Sequence, residues 1–377
     1  MKSSGDLQLL KRINRSVLLR LIRFQPEVSR ARLAELSGLT KSTVSSLVRE
    51  LLDEHWLTEA PKPVAIQGLG RPSTPLCMNN HTRVLIGVEI AVDYVRVVGV
   101  SLAGSILTHT EEPLQGNTPH SACQQVAQLV GLLCAQLKRR KLLLTGVGVS
   151  LPGAVDDITG VVHLAPNLGW RNIPLHNMIA QALEKFGIVK TNIFLQNEAD
   201  AAALSEYEFG AYGDSDSLVF VMCDIGVGAG VILNDCLFTG NTGLAGEIGH
   251  SILQINGPVC SCGRRGCVET FIGARALESN TNLDTAGDYL GMVLHNLDAA
   301  FNPRVIVLGG RSCFIRPGLI GAACRTLNDY ARAAGLKAPE VRPARYGLQA
   351  AAVGAAALVL HHYLRPVFRD KKNVLGN

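Results

Sequence analysis

Apolar residues in the first 55 positions recur at helical spacing in three successive stretches. The first stretch predicts a helix over residues 6–24. Ser29 suits an N-cap and Gly38 a C-terminal stop, so a short second helix is expected between them. Thr40 can cap a third helix that starts at Lys41 and runs to about residue 55. One apolar stripe follows this third helix and consists of Val44, Leu47, Val48, Leu51 and Leu52.

The opposite face of the third helix is small, polar and basic. Its residues are Lys41, Ser42, Thr43, Ser45, Ser46 and Arg49. Two short helices joined by a tight turn, the second with such a face, are typical of a helix-turn-helix. Small hydroxyl side chains let a helix enter a major groove, and lysine and arginine supply phosphate or guanine contacts. These residues therefore predict an operator DNA interface.

A glycine-rich segment follows the three helices. Two predicted strands, 57–60 and 75–78, flank a tip at 68–72 that carries Arg71. The arrangement predicts a wing whose arginine enters a minor groove, and it completes a winged helix-turn-helix domain over residues 1–80. A helical protein–protein module with a solvated basic face is the open alternative.

From Val84 onward the chain changes to strands separated by tight turns. Three successive strands are predicted over 84–112, and a similar unit starts at Ser217. The other elements predicted are a helix at 119–138, strands at 143–151 and 194–197, a helix at 198–209 and a buried strand at 305–310. The pattern predicts an α/β domain over residues 81–377, with two related lobes, the second starting near 212. A cleft between such lobes is where ligands usually lie.

Composition supports this division into a basic module and a neutral body. Among the 377 residues, positions 1–80 hold 12 Lys/Arg and 7 Asp/Glu, and the remainder holds 24 of each. All the excess positive charge thus lies in the predicted DNA-binding module. The N-terminus lacks the apolar run of a signal peptide, and the most apolar stretch, 350–360, is shorter than the ~20 residues of a membrane span. We expect a cytoplasmic protein without membrane insertion, in which cysteines are thiols or metal ligands.

Four residues have the spacing H-x9-C-x-C-x4-C. They are His250, Cys260, Cys262 and Cys267. Three thiols and one imidazole complete a tetrahedral zinc site with no position for water, which indicates a structural metal. The carboxylates Glu247 and Glu269 flank the cluster, so the metal would fix where they point. Reduced cysteines buried in a core are the alternative.

Several short motifs share their order with a known family. They are GRP at 70–72, PG at 152–153, PNLGW at 166–170, GVGAG at 226–230, GEIGH at 246–250, CSCGRRGCVE at 260–269 and IVLGG at 306–310. In this order the chain resembles the repressor branch of the ROK family, which comprises repressors, open reading frames and sugar kinases. The resemblance implies an actin-like, ribonuclease H-like fold of two lobes and a carbohydrate site between them. It also implies structural zinc and a homodimer or homotetramer.

The resemblance also implies a set of sugar-binding residues. Those residues are Asn167, Asn197, Glu198, Glu247, His250 and Glu269. Carboxylates and amides suit vicinal hydroxyls because each hydroxyl both donates and accepts hydrogen bonds. His250 can bind zinc through one ring nitrogen and a hydroxyl through the other. A turn-forming role for Asn167 and solvated loop charge for the glutamates stay open.

The chain departs from the family's kinases where phosphate would bind. Kinases begin the first lobe with Asp-x-Gly-Gly-Thr-Lys, whereas residues 89–95 here read EIAVDYV, and Asp93 is expected to repel phosphate. Glu198 stands where the kinases have their catalytic Asp, and the extra methylene displaces the carboxylate; a shift of ~1 Å can cost ~100-fold in rate. A Gly-Thr-Gly loop is replaced by Asp-Ile-Gly at 224–226. These changes predict a protein that is not an enzyme.

The main hypothesis is a sugar-controlled transcriptional repressor of carbohydrate uptake or catabolism genes. An ATP-dependent sugar kinase with an added DNA-binding domain is the alternative, suggested by the glycine-rich loop at 226–230. A third hypothesis has a protein partner, such as a membrane sugar transporter, release the repressor from DNA. The sequence does not identify the sugar, because epimers differ only in the direction of one hydroxyl.

Overall fold

An N-terminal helical unit precedes a body built on two five-stranded sheets. The computed structural model describes residues 5–60, 74–210, 217–279, 282–316 and 318–365. The helices are α1 (Gly5–Phe24), α2 (Arg30–Ser37), α3 (Lys41–Asp53), α4 (Pro119–Arg139), α5 (Leu175–Glu184), α6 (Glu198–Phe209), α7 (Glu269–Ile272), α8 (Ala274–Ser279), α9 (Leu283–Phe301), α10 (Arg311–Ile315), α11 (Leu319–Ala333) and α12 (Ala350–Leu364). The strands are β1 (Leu57–Glu59), β2 (Leu76–Met78), β3 (Arg83–Ile90), β4 (Tyr94–Ser101), β5 (Ile106–Pro113), β6 (Leu143–Leu151), β7 (Ala154–Asp156), β8 (Val161–Ala165), β9 (Trp170–Ile173), β10 (Ile193–Asn197), β11 (Ser217–Cys223), β12 (Val227–Leu233), β13 (Cys236–Leu237), β14 (Val305–Gly309) and β15 (Glu340–Pro343).

The caps of the N-terminal unit form as the sequence predicts. The Ser29 side chain accepts a hydrogen bond from the backbone of Arg32, and Gly38 ends α2 in the left-handed region at φ +68°. Thr40 caps α3 through the backbone N–H of Thr43. Helix α3 ends at Asp53, two residues before the predicted end. Strands β1 and β2 pair antiparallel, whereas the predicted wing tip, including Arg71, lies outside the described residues.

The two sheets of the body have the same plan. Their strand orders are β10-β6-β3-β4-β5 and β13-β12-β11-β14-β15. Each begins with an antiparallel meander and continues with parallel strands. The α/β architecture with two related lobes is thus confirmed. A small antiparallel sheet of β7, β8 and β9, which the pattern did not predict, extends the first lobe beside the cleft.

Helices α6 and α12 lie against each other between the two sheets. Helix α12 packs on β3 and β6 of the first lobe, so the end of the chain returns from the second lobe to the first. This close packing requires glycine, because a Cβ at Gly148 would lie 1.7 Å from the carbonyl oxygen of Ala355. The two lobes are therefore not simply two consecutive halves of the chain, because α12 follows the second lobe in sequence but packs on the first.

The apolar C-terminal segment is a core element. Residues Gly347–Leu364 are long and apolar enough to cross a membrane by length and composition alone, but 72% of that window is buried inside the protein. Residues 350–360 of this window are all buried and most belong to one apolar cluster, so burial between the two lobes accounts for its composition.

A buried ionic cluster joins the N-terminal unit to these central helices. Glu208, near the end of α6, accepts hydrogen bonds from Arg23 of α1 at 2.6 Å and from Arg365 at 2.8 Å. His361 of α12 lies 2.7 Å from the same carboxylate. All four side chains belong to buried residues. The N-terminal unit is thus attached to the helix that begins in the interlobe cleft.

Candidate ligand and metal site

A cavity of about 710 Å³ lies between the lobes. It contains all six side chains predicted to bind sugar, namely Asn167, Asn197, Glu198, Glu247, His250 and Glu269. The volume lies within the range of about 300–1,000 Å³ typical of small-molecule sites. The fold thus brings together polar groups that are separated by up to a hundred residues in the chain.

Asn197 occupies the junction of β10 and α6. Its Oδ1 accepts a hydrogen bond from the backbone of Ala199 at 2.8 Å and caps the helix, while Nδ2 donates to the carbonyl of Gly153 at 3.0 Å. Most of its hydrogen-bonding capacity is therefore used within the protein. One amide proton remains for a ligand, and the main effect of Asn197 is to position the start of α6.

Glu198 follows as the first residue of α6 and is the strongest candidate for a ligand contact. Its Oε2 atom is buried and makes no hydrogen bond to the described residues. Burial, together with the carboxylates of Glu89 and Asp224, raises the pKa of Glu198 well above its ordinary value. A neutral carboxyl can donate to and accept from a hydroxyl, but it cannot take up the hydroxyl proton. The raised pKa widens the pH range over which Glu198 can donate a hydrogen bond to a hydroxyl.

Asn167 and Glu269 reach the same point from opposite lobes. Asn167 lies in a 3-10 turn after β8, and Glu269 begins α7. A Cβ placed on Gly226 would lie 3.3 Å from Glu269 Oε2 and 3.7 Å from Asn167 Nδ2. Glycine thus leaves free the space into which an amide and a carboxylate converge. Asn167 belongs to a turn and also lines the cavity, so its place in the turn does not exclude a ligand contact.

The predicted metal ligands converge in space. Ligand atoms of His250, Cys260, Cys262 and Cys267 all lie within 4.8 Å of one another. The sulfurs of Cys262 and Cys267 are 3.7 Å apart, and Cys260 Sγ lies 3.7 Å from His250 Nδ1. Zinc–sulfur bonds of about 2.3 Å give tetrahedral edges of about 3.8 Å. The group can therefore hold a metal, and because Cys262 is exposed the cysteines are not simply core residues.

The metal group and the ligand cavity share His250. Its Nδ1 faces the thiolate cluster, while the residue also lines the cavity. The pKa of the neighbouring Glu247 is raised, mainly because the carboxyl group is buried. The charge of Glu269 adds to this rise, and His250 opposes it. A metal would fix the imidazole ring and, through the loop, the two carboxylates.

The other end of the cleft, which contains the two segments expected to replace the kinases' phosphate loops, is narrow. Arg311 of α10 donates to Asp93 of the first lobe at 2.9 and 2.6 Å, and its backbone N–H donates to Asp224 at 3.1 Å. The space left here is only about 40 Å³. The expectation that Asp93 repels phosphate is incomplete, because Arg311 neutralises it and fills the space.

The side chains predicted to bind DNA lie on the outer face of α3. Lys41, Ser42, Ser45, Ser46 and Arg49 are exposed and Thr43 is half-buried. The hydroxyl of Thr43 lies 2.8 Å from that of the capping Thr40, so it also stabilises the start of the helix. The arrangement presents a hydroxyl-rich, basic surface, and Arg71 lies outside the described residues.

Sequence reasoning missed several residues of the cleft. Trp170, Arg171 and Arg264 line the large cavity. They lie inside the PNLGW and CSCGRRGCVE motifs or next to them, which was a usable signal. Arg311 directly follows the IVLGG motif, but its pairing with Asp93 had no signal, because the two residues are 218 positions apart.

Comparison with known proteins identifies relatives over nearly the whole chain. The family model described as ROK family matches residues 85–286. The xylose repressor of Bacillus subtilis (strain 168) is 29% identical over 96% of this chain and 98% of its own length. The DNA-binding transcriptional dual regulator NagC of Escherichia coli (strain K12) is 30% identical over 73% of this chain and 66% of its own length.

Solved structures give the same picture of the fold. A ROK family transcriptional regulator, described as a homolog of the E. coli MLC protein, superposes with a TM-score of 0.76 at 24% identity, covering 94% of this chain and 97% of that one. A ROK hexokinase from Thermus thermophilus superposes with a TM-score of 0.60 at 26% identity, covering 73% and 97%. The regulator therefore matches the N-terminal unit as well as the body.

Proposed function

The chain belongs to the ROK family, and from this premise we propose that it is a sugar-controlled, DNA-binding transcriptional repressor of carbohydrate uptake or catabolism genes. The relatives named as xylose and N-acetylglucosamine repressors support the regulator assignment. The observation that carries the effector assignment is the buried, unsatisfied Glu198 Oε2 in a cavity lined by amides and carboxylates. Buried polar atoms need a partner, and a sugar hydroxyl supplies one.

The same geometry supports a regulator that performs no phosphoryl transfer. Arg311 and Asp93 occupy the phosphate end of the cleft, while about 710 Å³ stays open at the hydroxyl end. Sugar binding would draw Asn167 of the first lobe and Glu269 of the second onto one ligand. A change in lobe angle alters the spacing of two winged helices, and half-sites lie about one helical turn apart. The coupling available to one ligand is typically ~1–3 kcal/mol.

We infer that the metal is zinc and that its role is structural. Cys260, Cys262, Cys267 and His250 would hold it, and it would supply a rigid support for the loop between Gly240 and Glu269. We further propose a cytoplasmic homodimer or homotetramer with domains at 1–80 and 81–377. Release from DNA by a transporter protein is compatible with this assignment and would involve the same two domains, 1–80 and 81–377.

Operator binding tests the assignment directly. We expect the full chain to bind DNA from upstream of its own gene and one sugar of a hexose and pentose panel to change the affinity. Arg49→Ala removes one exposed cation from α3, so binding should weaken about tenfold and the salt slope should fall by about one. Fluorescence anisotropy over a salt series measures both.

The matched control is Arg139→Ala, which removes a charge from an exposed position at the end of α4. It should bind DNA like the wild type. Failure of the full chain to bind any promoter-derived fragment at low salt would remove the repressor assignment.

The sugar site can be tested through Trp170, which lines the cavity. The chain holds two tryptophans, so Trp56→Phe leaves Trp170 as the only tryptophan reporter. In that background Glu269→Gln should weaken the best sugar of the panel about 10- to 100-fold, because a charged hydrogen bond to a hydroxyl is lost. The exposed Glu278→Gln of α8 should leave the titration unchanged. Equal affinity in both variants would contradict the assignment of Glu269.

A further inference from the structure

A second cavity lies at the junction of the N-terminal unit and the first lobe. Its volume is about 510 Å³, within the range of small-molecule sites. Helix α1 and the residues after α3 form one wall, and the start of β3, the edge strand β10 and α12 form the other. The cavity is separate from the interlobe site in both position and chemistry.

Arg83, the first residue of β3, places a cation in this wall. Its guanidinium lies 4.4 Å from the ring centroid of Trp56 and donates to the backbone carbonyl of Glu54 and, at 3.3 Å, to Thr145 Oγ1. Burial lowers the pKa of Arg83. It makes no salt bridge with any carboxylate in the described part of the chain, and the carbonyl at the end of α3 offers only a partial negative charge. A half-buried cation thus faces the cavity with no carboxylate of the described residues in direct contact, although the nearby charge of Glu54 acts on it.

Glu54 is the carboxylate among the wall residues, and it does not form a salt bridge with Arg83. Glu54 is engaged by Arg15, whose Nη1 donates to Oε1 at 2.7 Å. Arg12 is exposed at the mouth and forms no salt bridge within the described residues. Two guanidiniums, Arg12 and Arg83, therefore line the cavity without a salt bridge of their own in the described residues. The apolar part of the wall comes from Leu19, Phe194 and Tyr363.

We propose that this junction cavity binds a small ligand through its phosphate group. A phosphate group carries a charge of about −1.5 to −2 at neutral pH, which matches two guanidiniums. Arginine presents paired N–H groups that suit phosphate oxygens. The aromatic and aliphatic side of the cavity accommodates the organic part of a phosphate monoester.

The position of the site argues against contact with the DNA backbone. Helix α3 carries the side chains predicted to bind DNA; it begins at Lys41, and Glu54 follows its last residue. Its 13 residues span about 20 Å, so Lys41 and Glu54 lie at opposite ends. The cavity is at the Glu54 end. A bound phosphate group would instead connect the N-terminal unit to the first lobe and stabilise one orientation of the two.

Calorimetry on the full chain tests the proposal with inorganic phosphate and phenyl phosphate as probes, at constant ionic strength in chloride. We expect saturable binding of both, tighter for phenyl phosphate because its ring contacts the apolar wall. Tighter phenyl phosphate indicates a metabolite as the source of the phosphate group, and equal affinities indicate free phosphate. In a Trp170→Phe background, Trp56 fluorescence should change with the same midpoint.

Arg83→Met and Arg12→Gln should each weaken binding about 10- to 100-fold, since each removes a charged hydrogen bond. Arg12 is exposed, so its variant remains informative if loss of Arg83 impairs folding. Arg139→Gln is the matched control and should bind like the wild type. Heat no larger than that of chloride alone, or equal affinity in the Arg12 variant and the control, would overturn the proposal.

Discussion

Glu208→Gln is expected to destabilise the protein by about 3–5 kcal/mol and to uncouple sugar binding from operator binding. The substitution leaves Arg23 and Arg365, both buried, without the carboxylate they share, and an uncompensated buried charge costs about this much. Helix α6 begins at Glu198 in the ligand cavity and carries Glu208 one residue before its end. Urea unfolding measures the first effect, and operator titrations with and without sugar measure the second.

Two variants separate the loss of stability from the loss of coupling. Arg23→Met removes the contact of α1 but leaves Glu208 paired with Arg365 and His361, so it should cost less stability and still reduce the sugar effect. Glu184→Gln lies exposed at the end of α5 and should change neither quantity. A normal sugar response in folded Arg23→Met would contradict a role for this contact.

The Glu208 carboxylate also makes the free energy of unfolding depend on pH. Burial alone would raise the pKa of Glu208, but Arg23, Arg365 and His361 outweigh it and lower that pKa to about 2, from an ordinary 4.5. Its stabilisation, about 3 kcal/mol, is therefore complete above pH 4.5 and is lost as pH falls toward 2. This part of the pH dependence of unfolding should be missing in Glu208→Gln.

Cys262→Ser is expected to release the metal, unfold the segment 240–270 and abolish the sugar response. Metal binding contributes about 10–16 kcal/mol in small zinc sites, which is as large as the stability of a whole domain. In the described residues the segment is held by turn-type backbone hydrogen bonds, and its extended pairing is limited to two isolated bridges, Ile252 with Cys267 and Val259 with Arg265. Zinc content by elemental analysis and amide exchange across 240–270 measure the effects.

The control for this substitution is Cys324→Ser, a half-buried thiol on α11 away from the cluster. It should keep about one zinc per chain and respond to sugar normally. Because Cys262 is exposed, its substitution removes little packing, so the comparison isolates ligation. A wild-type zinc content near zero would contradict the structural metal.

The chemistry of the site was largely predictable because its signals are local. The four residues that could hold a metal lie within eighteen residues, and their side chains favour zinc. The geometry was less accessible. Asn197 was predicted to hold sugar, yet most of its hydrogen bonds cap α6 and contact Gly153, a competition that becomes visible only when the neighbouring strand is in place.

The sequence by itself determined the helix caps, the strand periodicity, the basic N-terminal face and the convergence of cysteines, since each depends on residue type and short spacing. Only the tertiary structure decided that α12 packs on the first lobe, that Arg311 fills the phosphate end and that Arg23 meets Glu208. Those contacts join positions far apart in the chain: Arg311 and Asp93 are 218 residues apart, and Gly87 of β3 and Ala352 of α12 are 265 residues apart. No repeating pattern in the sequence indicates such pairs, because only the folded backbone brings the two residues together.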